Sequence, residues 1–254
     1  MLSNLLDCVS KIVAILTLLF LSFEDARSRE VSVQPFLIAV VICGLIAFIG
    51  PKPSGFELML SLIENALVII PLLILVLAKL KGLGDLLAFI VVMASSPFLE
   101  DRFCVFTLSF TTLFYYVLLF SVIAVANLVY VLIKYFDEVK LLRGYEKIIF
   151  PFIARPIPVK ELVEGRKKWW FPIKICGKRS LMINVNVEYE DIIREVKSAV
   201  DRGCIHLADR IWAVYGFPAI PLITTAYIIA LVVGDKLLVE FISKLLGVAP
   251  LCIG

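Results

Sequence analysis

Histidine occurs once, at position 206, and charged residues fill only 19% of the 254 positions. A lone imidazole excludes a multi-histidine metal site or a Ser–His relay built from this chain by itself. Low charge, 13 glycines and 6 cysteines exclude the disordered, collagen-like and disulfide-scaffold classes. The cysteines (Cys8, Cys43, Cys104, Cys176, Cys204 and Cys252) include no C-x2-C pair, the spacing of zinc and redox sites. The start of the chain lacks the basic opening of a secretory signal. Its apolar run leads into Glu24-Asp25-Ala26-Arg27 instead of a small-residue cleavage site, so no cleaved leader is expected. No internal repeat or low-complexity tract is visible.

What is abundant is apolar surface. Hydrophobic residues make up 61% of the chain and the mean hydropathy is +0.99, against roughly 45–50% apolar in soluble domains. A polytopic membrane protein is the class that remains. Spans of about 20 residues are needed to cross the hydrocarbon core, and marking them between charges gives six: 5–23, 31–51, 56–80, 85–99, 103–133 and 211–234. The fourth is short and must start at Asp85 or be sheltered by its neighbours.

Charge is concentrated in one place. Residues 134–212 hold 16 Lys and Arg against 11 Asp and Glu, a net +5, while the rest of the chain carries −2. A basic segment in an apolar chain reads as a cytoplasmic loop beside anionic lipid, with no nucleic-acid role. The short loops agree: Arg27, Arg29, Lys79 and Lys81 lie on the same side as the basic segment, and Lys52 and Glu100-Asp101-Arg102 on the other. Both termini are then outside. The expected fold class is all-α polytopic with a small α+β domain: helices one to five in 1–134, a cytoplasmic soluble domain in 135–210, and helix six with a tail in 211–254. In the soluble part, 171–176 and 180–187 flank Gly177-Lys178-Arg179 as a hairpin. Ile192, Ile193, Val196 and Val200 mark a helix over 189–200 that Gly203 can end. Trp169-Trp170 beside Lys167-Lys168 reads equally as an interfacial anchor or a packed corner.

Ionisable residues at membrane depth are costly and point to function by default. Asp7 and Lys11 pair along one helix face. Asp235 reads as an ordinary helix-end charge, and Glu64 either binds a partner helix or reaches water. Asp25 and Asp85 differ, because the topology carries both to the cytoplasmic interface although sixty residues separate them. Two adjacent carboxylates cannot both ionise cheaply, so the pair supplies a base to activate water and an acid to protonate a scissile amide. Gly82 and Gly84 permit a tight turn and close approach of a substrate backbone. The alternative is that Asp25 neutralises Arg27 or Arg29 and that Asp85 merely caps a helix.

Gly82-Leu83-Gly84-Asp85 matches the G-x-G-D motif of intramembrane aspartic proteases, and Asp25-Ala26-Arg27-Ser28-Arg29 resembles the D-x-R-x-R segment of type IV prepilin peptidases. Ala154-Arg155-Pro156-Ile157-Pro158-Val159 with Glu161-Leu162 resembles the soluble loop of archaeal preflagellin and prepilin peptidases. Ile211-Trp212 through Pro218-Ala219-Ile220-Pro221 to Gly234-Asp235 is similar to their last helix. The resemblance covers most of the chain in the same order. It implies catalytic Asp25 and Asp85, backbone support from Gly82 and Gly84, supporting Arg27 and Arg29, and neither metal nor cofactor. It also implies archaellin or pilin-like precursors as partners, each with a short basic leader before a hydrophobic helix, cut at the cytoplasmic membrane face. Many relatives have Lys two residues after the motif Asp, where this chain has Leu87, and the paired CxxC segments of bacterial relatives are absent. A presenilin or signal-peptide-peptidase type of protease and an ion-coupled transporter are the competing readings. The first has Tyr where Glu24 stands and about nine spans. The second places its sites near the midplane of repeated halves. Oligomeric state is not legible.

Overall fold

The computed structural model describes residues 2–50, 52–100, 103–179 and 189–247. In chain order the elements begin with α1 (Leu2–Ser28), α2 (Val33–Ile49), α3 (Gly55–Leu77), α4 (Leu83–Ser95) and α5 (Leu108–Lys134). Then follow α6 (Phe136–Lys140), α7 (Glu146–Ile153), β1 (Ala154–Pro158), α8 (Val159–Val163), β2 (Trp170–Pro172), β3 (Lys174–Ile175) and β4 (Lys178–Arg179). The chain continues through α9 (Tyr189–Asp201), β5 (Arg210–Tyr215), α10 (Ala219–Val233) and α11 (Lys236–Leu246). Two compact units result: Met1–Leu119 with Pro218–Gly254, and Phe120–Phe217.

The first unit is helical. Helices α1, α3 and α5 are long and apolar enough to cross a membrane, and α10 with α11 makes a fourth candidate bent by 86°. Their outward faces carry rows of bare apolar side chains, with Leu77 and Val232 73% and 80% exposed. Such rows suit lipid and not water. The shorter apolar helices α2 and α4 have 17 and 13 residues. At 1.5 Å per residue α4 is about 20 Å long, short of a bilayer core of about 30 Å. It is also the most enclosed, with Ala88, Phe89, Val91 and Val92 fully buried among α1, α2, α3 and α10. Shelter by neighbours, the condition the sequence set for this segment, is met.

Where apolar helices meet, backbone groups need partners inside the protein. Ser54-Gly55-Phe56-Glu57 starts α3 with a reciprocal capping box. Further along α3, Ser61, Glu64 and Asn65 form a buried polar stripe on one face. Ser61 Oγ accepts from Leu99 N–H at 3.0 Å, Asn65 donates to the Pro97 carbonyl at 2.9 Å, and Glu64 accepts from Thr107 N–H at 2.6 Å. Glu64 therefore serves a neighbouring helix, α5, whose start it meets with negative charge. Asp235 is no ordinary helix-end charge. It is fully buried and accepts the N–H groups of Cys104, Val105 and Phe106 at 2.9–3.0 Å. Lys11 pairs with Asp7, as its spacing predicts, and also with Glu100 at 2.8 Å.

The second unit holds a three-stranded antiparallel sheet in the order β1-β5-β2, with Ala154 opposite Val214 and Pro158 opposite Arg210. α9 and α8 bury Val196, Ala199 and Leu162 against Ile157, Ile211 and Ala213. A disulfide joins Cys176 to Cys204. Helix α9 matches the expected segment, and Gly203 follows it with φ +70. Two readings are corrected. The sixth apolar helix starts at Ala219, because Ile211–Tyr215 alternates into strand β5 instead of entering a span. The hairpin turns at Cys176-Gly177, both with positive φ, so Lys178-Arg179 are strand and not turn. The expected partner strand 180–187 and Glu188 lie outside the described residues.

Removing the fully buried Asp235 carboxylate strands three part-buried backbone donors, each costing about 1 kcal/mol or more. Asp235→Ala should lower the melting temperature of the detergent-solubilised protein by roughly 6 °C or more. Exposed Asp137→Ala should shift it by about 2 °C at most. Equal melting temperatures for the two variants would refute the structural role given to Asp235.

Candidate active site

Asp25 and Asp85 come to the same end of the helical unit. Asp25 lies in the last turn of α1, and its Oδ2 accepts the Ile220 N–H at 3.1 Å. Ile220 is in the first turn of α10, where backbone donors have no intrahelical acceptor. Pro218 precedes the helix and Pro221, lacking an N–H, follows Ile220, so donors are few at this end. The α1–α10 pairing that sets this contact continues inward: Ser22 and Thr224 hydroxyls lie 2.8 Å apart, and Thr224 also reaches the Leu18 carbonyl at 3.3 Å.

Asp85 sits in the first turn of α4, but Gly82 is the N-cap residue and Asp85 does not cap. Its carboxylate turns to Lys81, with Nζ 3.2 Å from Oδ2. Lys81 also donates to the Tyr116 hydroxyl at 2.7 Å and lies 5.3 Å from the centre of that ring. Tyr116 is held by edge-on packing against Phe89 of α4, centroids 5.9 Å apart. Burial works against the Lys81 ammonium, but the Asp85 carboxylate and the Tyr116 phenol outweigh it and hold the lysine above its ordinary range. Lys81 is thus a fixed cation. Asp25 lies within electrostatic reach of Arg29, Asp85 and Lys81. Where Leu87 offers no cation, Lys81, four residues before the motif Asp in the bend that leads into α4, stands beside that carboxylate.

The other sequence candidates separate. Arg29, at φ +63, closes α1 through its N–H to the Asp25 carbonyl at 3.2 Å and adds its charge beside the carboxylate. Arg27 is exposed and makes no ion pair among the described residues. Glu24 accepts from the Ser32 N–H and hydroxyl at 3.0 and 3.1 Å, fixing the turn into α2. Gly84 lies inside α4 and not in a turn. A Cβ there would fall 2.8 Å from Val31 Cγ2 and 3.5 Å from Ile220 Cδ1. The close approach expected of the two glycines thus belongs to Gly84, and what approaches is protein. Gly82 has φ −75 and no atom nearer than 4.0 Å to such a Cβ.

Sequence reasoning missed Lys81, Tyr116 and Ile220. The i, i+4 spacing of Lys81 and Asp85 was a readable signal. Tyr116 and Ile220 arrive by packing and carry no local signal. Among the described residues no cluster of His, Cys, Asp and Glu is arranged to hold a metal.

A membrane-type helical unit that joins two carboxylates and a lysine, carried with a small α+β unit, defines the class. Residues 146–236, just over a third of the chain, match the family model Archaeal Peptidase A24 C-terminus Type II. The chain is thus similar over this segment to an archaeal A24 peptidase family. The match spans the segment around Arg155 and the whole of α10, and Asp25 and Asp85 lie before it. No curated protein matches the chain.

Gly84→Ala pushes a methyl group into β-branched Val31, which has little rotameric freedom to yield. It should reduce peptidase turnover by roughly tenfold or more, since a misplacement of about 1 Å at a reacting centre can cost about 10^2-fold. Gly82→Ala should keep near-native cleavage. Equal losses from both, measured as initial rates on the same membrane preparation, would contradict the packing assigned to Gly84.

Proposed function

We propose that this chain is a membrane-embedded aspartic endopeptidase. It removes the short basic leader from archaellin or type IV pilin-like precursors at the cytoplasmic membrane face, with Asp25 and Asp85 as the catalytic pair. One observation carries the reading: Asp25 of α1 holds the Ile220 N–H, Ile220 packs on Gly84, and the neighbouring Asp85 of α4 is paired with Lys81, so two carboxylates distant in sequence come to one end of the helices. The peptidase family match supports the reaction class. Six apolar helices (α1 to α5 and α10) cross the membrane in this reading, and the Lys and Arg of the short loops place the pair inside.

The chemistry follows from the pair. The ionised carboxylate takes a proton from a water molecule as its oxygen bonds to the scissile carbonyl carbon. The protonated partner gives its proton to the departing amide nitrogen as the C–N bond breaks. The two groups titrate as a unit, so neither role is assigned to one residue. Ile220 N–H orients Asp25, and Lys81 acts through Asp85 as a positioning residue. A capping role for Asp85 does not fit, since Gly82 occupies the cap.

Asp25→Asn and Asp85→Asn should each lower turnover by about 10^3-fold or more, with the double variant little worse than either. Lys81→Gln should lower kcat with KM unchanged, and Lys81→Arg should recover part of the loss. Near-native turnover in either folded Asn variant would sink the mechanism, and an unchanged kcat in Lys81→Gln would remove Lys81 from it. Single cysteines at Ser28 and Lys168, in a background without native cysteines, should label only from inside intact cells, and one at Lys52 only from outside. The reverse pattern would put the pair on the wrong side for a cytoplasmic leader.

A further inference from the structure

A second polar site lies in the unit Phe120–Phe217, apart from the residues given a catalytic role. A cavity of about 260 Å3 is walled by the end of α5, by β1 and by residues from β2 and β5. Four cations line it (Lys134, Arg155, Lys167 and Arg210) against one carboxylate, Glu161. Lys167 faces Glu161 at 3.7 Å, and Arg210 is paired with Glu138 at 2.6 Å. Among the described residues neither Lys134 nor Arg155 has an ion pair.

The walls hold these two unpaired cations in place. The Arg155 guanidinium lies 4.3 Å from the Tyr130 ring centre and 5.9 Å from that of Trp170, and its Nε donates to Asn127 Oδ1 at 2.5 Å. Asn127 is itself anchored by donating to the Pro151 carbonyl at 2.9 Å. Lys134 donates to the Tyr130 hydroxyl at 3.1 Å and lies 5.6 Å from the Tyr135 ring centre. Aromatic faces and an anchored amide hold cations without neutralising them. A guanidinium and an ammonium so presented suit a tetrahedral oxyanion. Lys134 is also the last residue of α5, a helix apolar enough to span a membrane. Tyrosine, tryptophan and basic side chains gather where such spans meet lipid headgroups, and basic pockets there bind headgroup phosphates.

The geometry points to a phosphate-binding site at the end of α5 whose ligand is the headgroup of an anionic phospholipid. The site rests on α5 being a span and not on the peptidase reading. A basic leader is the wrong charge for it.

Full-length protein, stripped of lipid by detergent exchange, should be offered phosphatidylglycerol, phosphatidylcholine or inorganic phosphate, and the bound species counted by native mass spectrometry. Wild type should retain one phosphatidylglycerol, at least tenfold more than Lys134→Ala/Arg155→Gln, and no phosphatidylcholine. Lys134→Ala by itself should lose several-fold, which guards against a folding defect from the lost Arg155–Asn127 bond. Lys168→Ala/Lys174→Ala removes equal charge outside the cavity and should bind like wild type. Retention of inorganic phosphate with the same dependence on Lys134 and Arg155, and no lipid, would keep the phosphate site and make a free phosphate its ligand. Retention unaffected by Lys134 and Arg155, or lost equally in the control pair, would overturn the site.

Discussion

In apolar surroundings a backbone N–H without an acceptor costs more than most packing contacts return. Much of the helical unit is arranged by meeting that constraint. Helix α10 shows it at both ends: Asp25 accepts the Ile220 N–H at its start, and Asp235, beyond its end, accepts three N–H groups from the segment before α5. Gly234, at φ +71, allows the sharp change of direction there, and its carbonyl accepts from the Tyr115 hydroxyl at 3.0 Å. Glu64 repeats the device one residue further along, at Thr107. Buried carboxylates thus do two kinds of work here. Glu64 and Asp235 receive short or several backbone donors and are structural, whereas Asp25 takes the single Ile220 N–H and Asp85 faces a lysine.

That distinction was not legible in the chain. Hydropathy located the apolar segments and their polar connections, because a helix in lipid needs only length and apolarity. It also put Asp25 and Asp85 on one side, because that inference needs only the parity of the crossings. Hydropathy gave the sixth segment too early a start, since the alternation in Ile211–Tyr215 belongs to a strand and a sliding run of apolar residues does not separate the two. Glu64 and Asp235 could not be sorted by sequence, because their acceptor role depends on where residues 104–107 pass in space. The disulfide between Cys176 and Cys204 has no spacing motif either. It bears on compartment, because disulfides inside cells persist mainly in hyperthermophile proteins.

Lys81 shows how a motif can mislead by its edges. The resemblance directs attention to the second residue after the motif Asp, where Leu87 offers no cation. Four residues before that Asp, in the bend ahead of α4, stands Lys81, fixed by Tyr116 and, through it, by Phe89. Gly84 completes the arrangement: with no side chain, it lets Val31 and Ile220 close on α4, so the residue that orients Asp25 also packs on the motif that carries Asp85.

These local assignments constrain how a precursor is held under the peptidase reading. Glu24 lies next to Asp25 in sequence, but its carboxylate is committed to Ser32 at the α1–α2 turn. Asp85 is matched by Lys81, and Arg29 acts on Asp25, so little uncompensated negative charge remains beside the pair except exposed Glu30. A leader's positive charge therefore contributes little attraction at the point of cleavage, and what it contributes is orientation. Affinity must come from the hydrophobic helix that follows the leader. Lipid removes most of the hydrophobic gain that burial would bring in water, so that affinity rests on close packing between helices. A site of this kind selects precursors by the fit of the helix beside the scissile bond, with leader charge setting register.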